Sequence, residues 1–359
     1  MKRLLGRRVA GRLFLTLMLF AALAVSPRAI RAQEAENQEV THAKDIRVNL
    51  FDACFADAQT GWVVGDLGRI FLTKDGGETW ERQSVGDRRP ILGITCLDAT
   101  HAWVSSTLGS AFVTSDRGKT WTEQKTPIDR NLLDIGFGSP SRGTAVGDFG
   151  ALVHTEDGGK TWTEVGLPEN LELAPTAVDM GVDPRDVLLY GVTYADENNA
   201  WISGEFGTIL ASTDGGKTWT QQKSGVESTL FGIHFLDAKT GMAVGIDSSI
   251  LRTEDGGATW TAIPGPYEEH SYYDVELGPD SSWIVGSRGS LLVSKDQGKT
   301  WKDFPTPIQF ASEWFRGVSL ASDTGYLVGG AGLVYKSTGE QATLLGGSTA
   351  EKRVVEHGG

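Results

Sequence analysis

Thr155-Glu156-Asp157-Gly158-Gly159-Lys160-Thr161-Trp162 is one of six near-copies of a single octapeptide. The others are Thr73–Trp80 (TKDGGETW), Thr114–Trp121 (TSDRGKTW), Ser212–Trp219 (STDGGKTW), Thr253–Trp260 (TEDGGATW) and Ser294–Trp301 (SKDQGKTW). The closing tryptophans lie 41, 41, 57, 41 and 41 residues apart. A fixed period near 41, with strand-like segments between the copies, predicts a β-propeller with one repeat per blade. The fold class read from the sequence is therefore all-β.

Each repeat has the same grammar. The first opens with Phe51-Asp52-Ala53-Cys54-Phe55, continues through Gly61-Trp62-Val63-Val64-Gly65 and Arg69-Ile70-Phe71-Leu72-Thr73, and then enters its octapeptide. These are short β-branched and aromatic runs punctuated by Gly and Asp turns. The segment after each Trp reads as a fourth, outermost strand. A seventh unit follows at Gly317–Leu320, Gly325–Gly329 and Gly332–Tyr335, but its octapeptide has decayed to Lys336-Ser337-Thr338-Gly339. Seven four-stranded antiparallel blades are expected over residues 39–340. Blade 7 lacks an outer strand in this reading. Glu39-Val40-Thr41-His42-Ala43 stands where an outer strand stands before every other blade, and is expected to close the ring by pairing into blade 7. Residues 341–359 read as a flexible tail.

The octapeptide is the Asp-box, or BNR repeat. Its Asp is suited to accept backbone N–H bonds in a tight turn. Its glycines supply positive φ, and its Trp buries a large apolar surface. Asp75, Asp116, Asp157, Asp214, Asp255 and Asp296 are expected to be structural staples. Six identical acids spread round a ring do not assemble one catalytic or metal centre.

Residues 1–32 read as a signal peptide. Lys2, Arg3, Arg7, Arg8 and Arg12 precede the apolar run Leu13–Val25, and Ala32 offers a cleavage point. The Arg7-Arg8 pair lacks the sequence that follows a twin-Arg signal, so ordinary secretion fits better. The protein is expected in the periplasm or a thylakoid lumen, soluble after cleavage, and monomeric. The full chain carries a net charge of −13. Removing the leader's seven basic residues leaves about −20. Such a surface repels phosphate backbones, so nucleic acid is a poor partner. The two cysteines, Cys54 and Cys96, lie in the first strands of adjacent repeats, one register step apart. A disulfide and a pair of buried thiols are both compatible with that placement, and the thiols are the expectation.

In a four-stranded meander the boxes share a face with the first-to-second turns. The other face carries the connections between blades, including one insertion at about residues 165–187 in which Leu171, Leu173, Val178, Met180 and Val182 sit among acids and prolines. It reads either as a docking loop or as a lid packed on its own blade. Arginines gather in the same connections. Arg88, Arg89, Arg130, Arg185 and Arg316, with Trp314, are the candidate partner-binding residues, against a background of local ion pairs. Asp52, Asp134 and Asp274 share one register in the first strands, where Gly93, Gly191 and Gly232 stand in other blades. These acids could line the channel mouth. The six histidines show no metal-ligand spacing, and there is neither a Gly-x-Ser-x-Gly elbow nor a phosphate loop. No catalytic residue, metal or cofactor is assigned.

Blade 3 carries the repeat most fully: Leu132-Leu133-Asp134-Ile135-Gly136-Phe137, Gly143-Thr144-Ala145-Val146-Gly147-Asp148-Phe149-Gly150 and Thr155–Trp162. Repeats of this form over about residues 39–340 resemble the photosystem II stability/assembly factors. The resemblance implies a non-enzymatic factor of the periplasm or thylakoid lumen that binds a newly made reaction-centre membrane protein through an arginine-rich face. Here that role would fall on Arg88, Arg89, Arg130, Arg185 and Arg316. Relatives occur in non-photosynthetic bacteria, where the partner would be another envelope membrane complex, such as a transporter. The alternative is a secreted Asp-box glycoside hydrolase, sialidase- or xyloglucanase-like, with Asp52, Asp134, Glu268 or Glu269 as its carboxylate pair.

Overall fold

The repeat period resolves into seven antiparallel meanders in the computed structural model, which describes residues 40–304, 313–338 and 341–347. The innermost strands are Leu50–Phe55, Ile91–Cys96, Leu132–Phe137, Leu189–Tyr194, Leu230–Phe235, Tyr272–Glu276 and Phe315–Ala321. Each packs beside the next around an axis, and Phe315–Ala321 returns to Leu50–Phe55. The second strands, such as Gly143–Gly147 and Gly241–Gly245, are buried along their whole length, sandwiched between neighbouring blades. That explains their unbroken Gly and aliphatic composition, in contrast to the exposed outer strands.

The core is divided among the seven interfaces between blades. Trp103 of blade 2 stacks on Phe137 of blade 3 (4.0 Å, 15°), and the box residue Trp162 meets the same Phe edge-on (6.1 Å, 90°). Trp201, Phe235 and Trp260 repeat the module between blades 4 and 5, and Tyr326, Phe55 and Trp80 between blades 7 and 1. Offset and edge-on pairs of this kind add to the large apolar area each ring buries.

Two expectations about the ends are corrected. Blade 7 supplies its own outer strand, Ala342–Gly346, which pairs with Val334–Ser337. The expected N-terminal strand exists as Val40–His42, but it pairs with Thr79–Ser84 and makes blade 1 five-stranded. The physical reason is occupancy: Ala342–Gly346 already fills the edge of blade 7. From sequence that segment reads as tail because it carries neither the box Asp nor the box Trp. The N-terminal segment still helps to close the ring, since Ala43 and Ile46 are buried in a cluster shared by blades 7 and 1. The expected signal peptide and residues 348–359 of the expected tail lie outside the described residues.

Cys54 and Cys96 form a disulfide, in place of the expected thiols. Pairing across two blades brings the side chains together even though each strand sends them to different faces, with Cα atoms 6.0 Å apart. Nothing in either strand taken alone reveals this.

Candidate functional site: the channel mouth and the face around it

Every innermost strand carries a register shift at the same place, between Leu50 and Asp52, Ile91 and Gly93, Leu132 and Asp134, and so on round the ring. A β-bulge re-aims the extra residue. The seven bulge residues are Phe51, Leu92, Leu133, Tyr190, Phe231, Tyr273 and Arg316, and all of them line the axial cavity. That cavity measures about 70 Å³, far below the roughly 300–1,000 Å³ of small-molecule sites. The Arg316 guanidinium lies 5.4 Å from the ring centre of Tyr273 and 5.9 Å from that of Phe231, within cation–π range.

One residue further along each strand, the ring reads Asp52, Gly93, Asp134, Gly191, Gly232, Asp274, Gly317. Each Asp accepts the backbone N–H that follows it, and its second oxygen accepts an N–H from the next blade: Ile94 to Asp52 at 2.8 Å, Val192 to Asp134 at 2.8 Å, Val318 to Asp274 at 2.9 Å. Every Asp is followed round the ring by a Gly. A Cβ on Gly317 would come within 2.8 Å of the Asp52 Cα, so the glycine admits the neighbouring strand. The sequence placed these three acids correctly at the axis, where they act as staples between blades.

Burial in the closed ring pushes Asp134 and Asp274 up to about 7. It also raises Asp52 well above its ordinary value, helped by repulsion from Asp134 and Asp274. Two residues further along their strands, burial lifts Glu276 to about 8 and lowers His234 to about 4. The Leu277 N–H donates to His234 Nδ1 at 3.1 Å, which leaves Nε2 to carry the proton, 3.6 Å from Glu276 Oε1. Among the described residues no group of three or more His, Cys, Asp or Glu could hold a metal ion.

The box aspartates are consumed locally. Asp157 accepts from the Thr161 N–H at 2.8 Å, the Thr161 hydroxyl at 2.6 Å and the Thr155 hydroxyl at 2.9 Å, and the other five boxes repeat the pattern. In Asp296 the Thr300 and Ser294 hydroxyls lead in holding the carboxyl down to about 2. The box turns share their face with the first-to-second turns, through bonds such as Gly158 N–H to Ser141 O and Gly256 N–H to Lys239 O.

The opposite face holds the channel mouth, the second-to-third turns and the connections between blades, tied together by bonds such as Gly109 N–H to Arg130 O and Gly150 N–H to Val187 O. Those second-to-third turns have positive φ at both central residues. Asn-Gly is the cheapest pair for such a turn. Here the pairs are Leu67-Gly68, Leu108-Gly109, Phe149-Gly150 and Phe206-Gly207 in blades 1 to 4, with φ between 51° and 59° at the leading residue. Blades 5 to 7 carry Asp247-Ser248, Arg288-Gly289 and Ala331-Gly332. A left-handed backbone costs an ordinary L-residue roughly 1–2 kcal/mol. Leu67, Leu108 and Phe149 are also 45%, 63% and 56% exposed, so burial does not offset that cost.

The arginines chosen from sequence do gather on this face, and most are engaged. Arg89 pairs with Asp87 at 2.5 Å and Glu123 at 3.1 Å, Arg130 with Glu164, and Arg185 with Asp183 at 2.5 Å. Arg88 is exposed, and neither it nor Arg316 makes an ion pair among the described residues. Trp314 is half-buried, lying parallel to Phe51 with ring centres 6.5 Å apart. The insertion is packed on the propeller along part of its length and exposed at its tip. Leu171 and Val187 are buried between blades 3 and 4 and Ala177 is buried within the short helix Pro175–Asp179, while Val178 and Met180, on and just after that helix, are 61% and 72% exposed. Sequence reading missed the turn tips, whose trace in the sequence is a Leu or Phe directly before a Gly in blades 1 to 4.

A family model described as photosynthesis system II assembly factor YCF48 matches residues 30–122, 113–181 and 218–344. The chain belongs to this family. No curated protein matches it. Among solved structures, YCF48 from Cyanidioschyzon merolae is 21% identical with a TM-score of 0.64, covering 84% of this chain and 99% of that one. A YCF48 bound to a D1 peptide is 18% identical with a TM-score of 0.64, over 84% and 94%. Virginiamycin B lyase from Staphylococcus aureus reaches a TM-score of 0.68 at 15% identity, over 83% and 97%. At these identities such likenesses speak to the propeller fold alone.

Proposed function

We propose that this YCF48-family chain is an exported, non-catalytic assembly factor that holds a membrane-protein subunit of a photosystem II-type complex against its channel-mouth face. The observation that carries this reading is the family match across most of the propeller. The solved relative with a bound D1 peptide supports the choice of partner. The axial acids support a binding role over catalysis, because each is spent joining two blades. The Cys54–Cys96 disulfide suits an oxidising compartment outside the cytoplasm. No helix among the described residues is long and apolar enough to cross a membrane. Arg88, Arg288 and Arg316, none of which makes an ion pair among the described residues, are the guanidinium groups proposed to meet a partner's carboxylates.

The test is affinity isolation of the tagged, exported chain from host membranes after mild crosslinking. Recovery of reaction-centre subunits, reduced in the Arg88→Glu variant, is the expected result. Release of reducing sugar from a polysaccharide panel, with no membrane protein recovered, would sink the proposal.

A further inference from the structure

On the channel-mouth face of blades 1 to 4, Leu67, Leu108, Phe149 and Phe206 occupy four successive left-handed turn positions. Three of the four are substantially exposed. The turn geometry favours Asn there, and solvent exposure favours a polar residue. Folding therefore does not account for four bulky apolar side chains in a row. Blades 5 to 7 hold Asp, Arg and Ala at the same position, so the fold does not demand apolar residues. The exposed Val178 and Met180 extend the same sector from the insertion. Beside them a cleft of about 520 Å³ opens between the insertion and blade 4, with Phe206, Leu173 and Trp219 in its wall. An exposed apolar patch with a concave element marks a docking surface.

The charges around this sector select the occupant. Arg89, Arg130 and Arg185 are answered by carboxylates of the chain itself. Arg88, beside the Leu67 turn, and Arg316, at the mouth, have no ion pair among the described residues. An anionic membrane would meet the acids of this face as well as its arginines. A short segment can place single carboxylates on Arg88 and Arg316. We infer that the sector of blades 1 to 4 docks an amphipathic, acidic segment of a partner protein. Apolar side chains of that segment seat among the four turn tips and in the cleft, and its carboxylates meet Arg88 and Arg316. This rests on the assembly-factor reading above and names the surface and the chemistry of the segment it holds.

The test compares the exported chain with a Leu67→Asn/Leu108→Asn/Phe149→Asn variant. The probes are a fluorescent 20-residue peptide with Leu and Phe on one helical face and Glu along the borders of that face, a matched peptide with Lys in place of Glu, and phosphatidylcholine–phosphatidylglycerol vesicles. The expected result is binding of the acidic peptide only, weakened at least tenfold in the triple variant, whose Tm is unchanged or higher because Asn relieves the turn. The Leu97→Asn variant, which removes an exposed leucine of the box face, should bind like the wild type. Should the triple variant fold poorly, Leu108→Asn alone should weaken binding several-fold at wild-type Tm. Vesicle binding without peptide binding, equal binding by the triple variant, or no binding to any probe would overturn the inference. The assembly role stands or falls separately. If membrane subunits co-isolate with the triple variant as they do with the wild type, the role survives and this surface is wrong.

Discussion

Two sets of aspartates share one side-chain chemistry and diverge by environment. In the boxes, hydroxyl and amide donors outweigh desolvation, and the carboxyls titrate low. Around the axis, burial outweighs the two N–H bonds each acid accepts, and Asp134 and Asp274 titrate near 7. The sign of the pH effect follows from linkage. A carboxyl whose folded pKa lies above its unfolded value contributes stability that is complete at low pH and lost as pH rises through the folded pKa. His234, held low, contributes with the opposite sign, but only below its unfolded value near 6.5. Box carboxyls are fully ionised in that range. Between about pH 6.5 and 8, Asp134, Asp274 and Glu276 therefore act without that opposition, and stability should fall. The expected outcome is a lower Tm at pH 8 than at pH 6.5. Asp274→Asn should flatten the slope, whatever it does to the absolute value by orphaning one of the N–H groups of Val275 and Val318. A Tm that rises over this interval would contradict the assigned burial. The box acids were readable because six copies announce a shared local role. The axial acids were readable as a register. Their bonds to the next blade were not, since those pair residues 42 to 58 apart.

At the scale of the element, the interface between blades is the unit of stability. The rings of Trp201 and Phe235 stack at 3.5 Å, with Trp260 edge-on to Phe235, and Trp201 is 3% exposed. Trp201→Ala should cost about 3–5 kcal/mol, the usual range for removing a buried aromatic, measured as a shift in the denaturation midpoint. A change below 1 kcal/mol would mean that the blades do not depend on these modules. Between blades 1 and 2 the aromatic stack gives way to a covalent bond. Trp62 is buried there beside Cys54 and Cys96, which are joined. The paired Cys54→Ser/Cys96→Ser variant should lose about 2–4 kcal/mol, and the wild type should lose a similar amount under reductant. Indifference to reductant would mean the bond is absent in solution. The sequence displays the tryptophans, because they recur at fixed offsets. It hides the disulfide, because a single pair has no period. It also hides the turn tips, because a Leu or Phe before a Gly reads as ordinary core until the backbone shows positive φ and exposure.

For the whole molecule, the question is what shuts the ring. The sequence supplied seven units correctly and misjudged the seam, because the blade without a box looked incomplete. Its outer strand Ala342–Gly346 pairs along its length with the strand beside it, Tyr335 opposite Leu344 and Ser337 opposite Ala342, with one register shift between Val334 and Tyr335. That strand packs its apolar residues against a cluster containing Tyr335, which is 1% exposed. Val40–His42, by contrast, adds three residues to the outer edge of blade 1, and Val40 is 60% exposed. The seam proper lies further in. Phe55 N–H donates to Ser319 Oγ at 2.9 Å, Phe55 stacks on Tyr326 at 3.5 Å, and the Tyr326 hydroxyl donates to Ala58 O at 3.2 Å. A chain beginning at Ala43, which keeps the buried Ala43 and Ile46, should unfold cooperatively with a midpoint within about 1 kcal/mol of the full propeller, as expected when a mostly solvated three-residue edge is lost. A chain ending at Thr338 strips the edge of blade 7 and uncovers Tyr335. It should lose several times as much and gain an unpaired strand edge prone to association, visible together as a lower midpoint and an oligomer on size-exclusion chromatography. The reverse ranking, with the N-terminal cut the more damaging, would place closure at Val40–His42 after all.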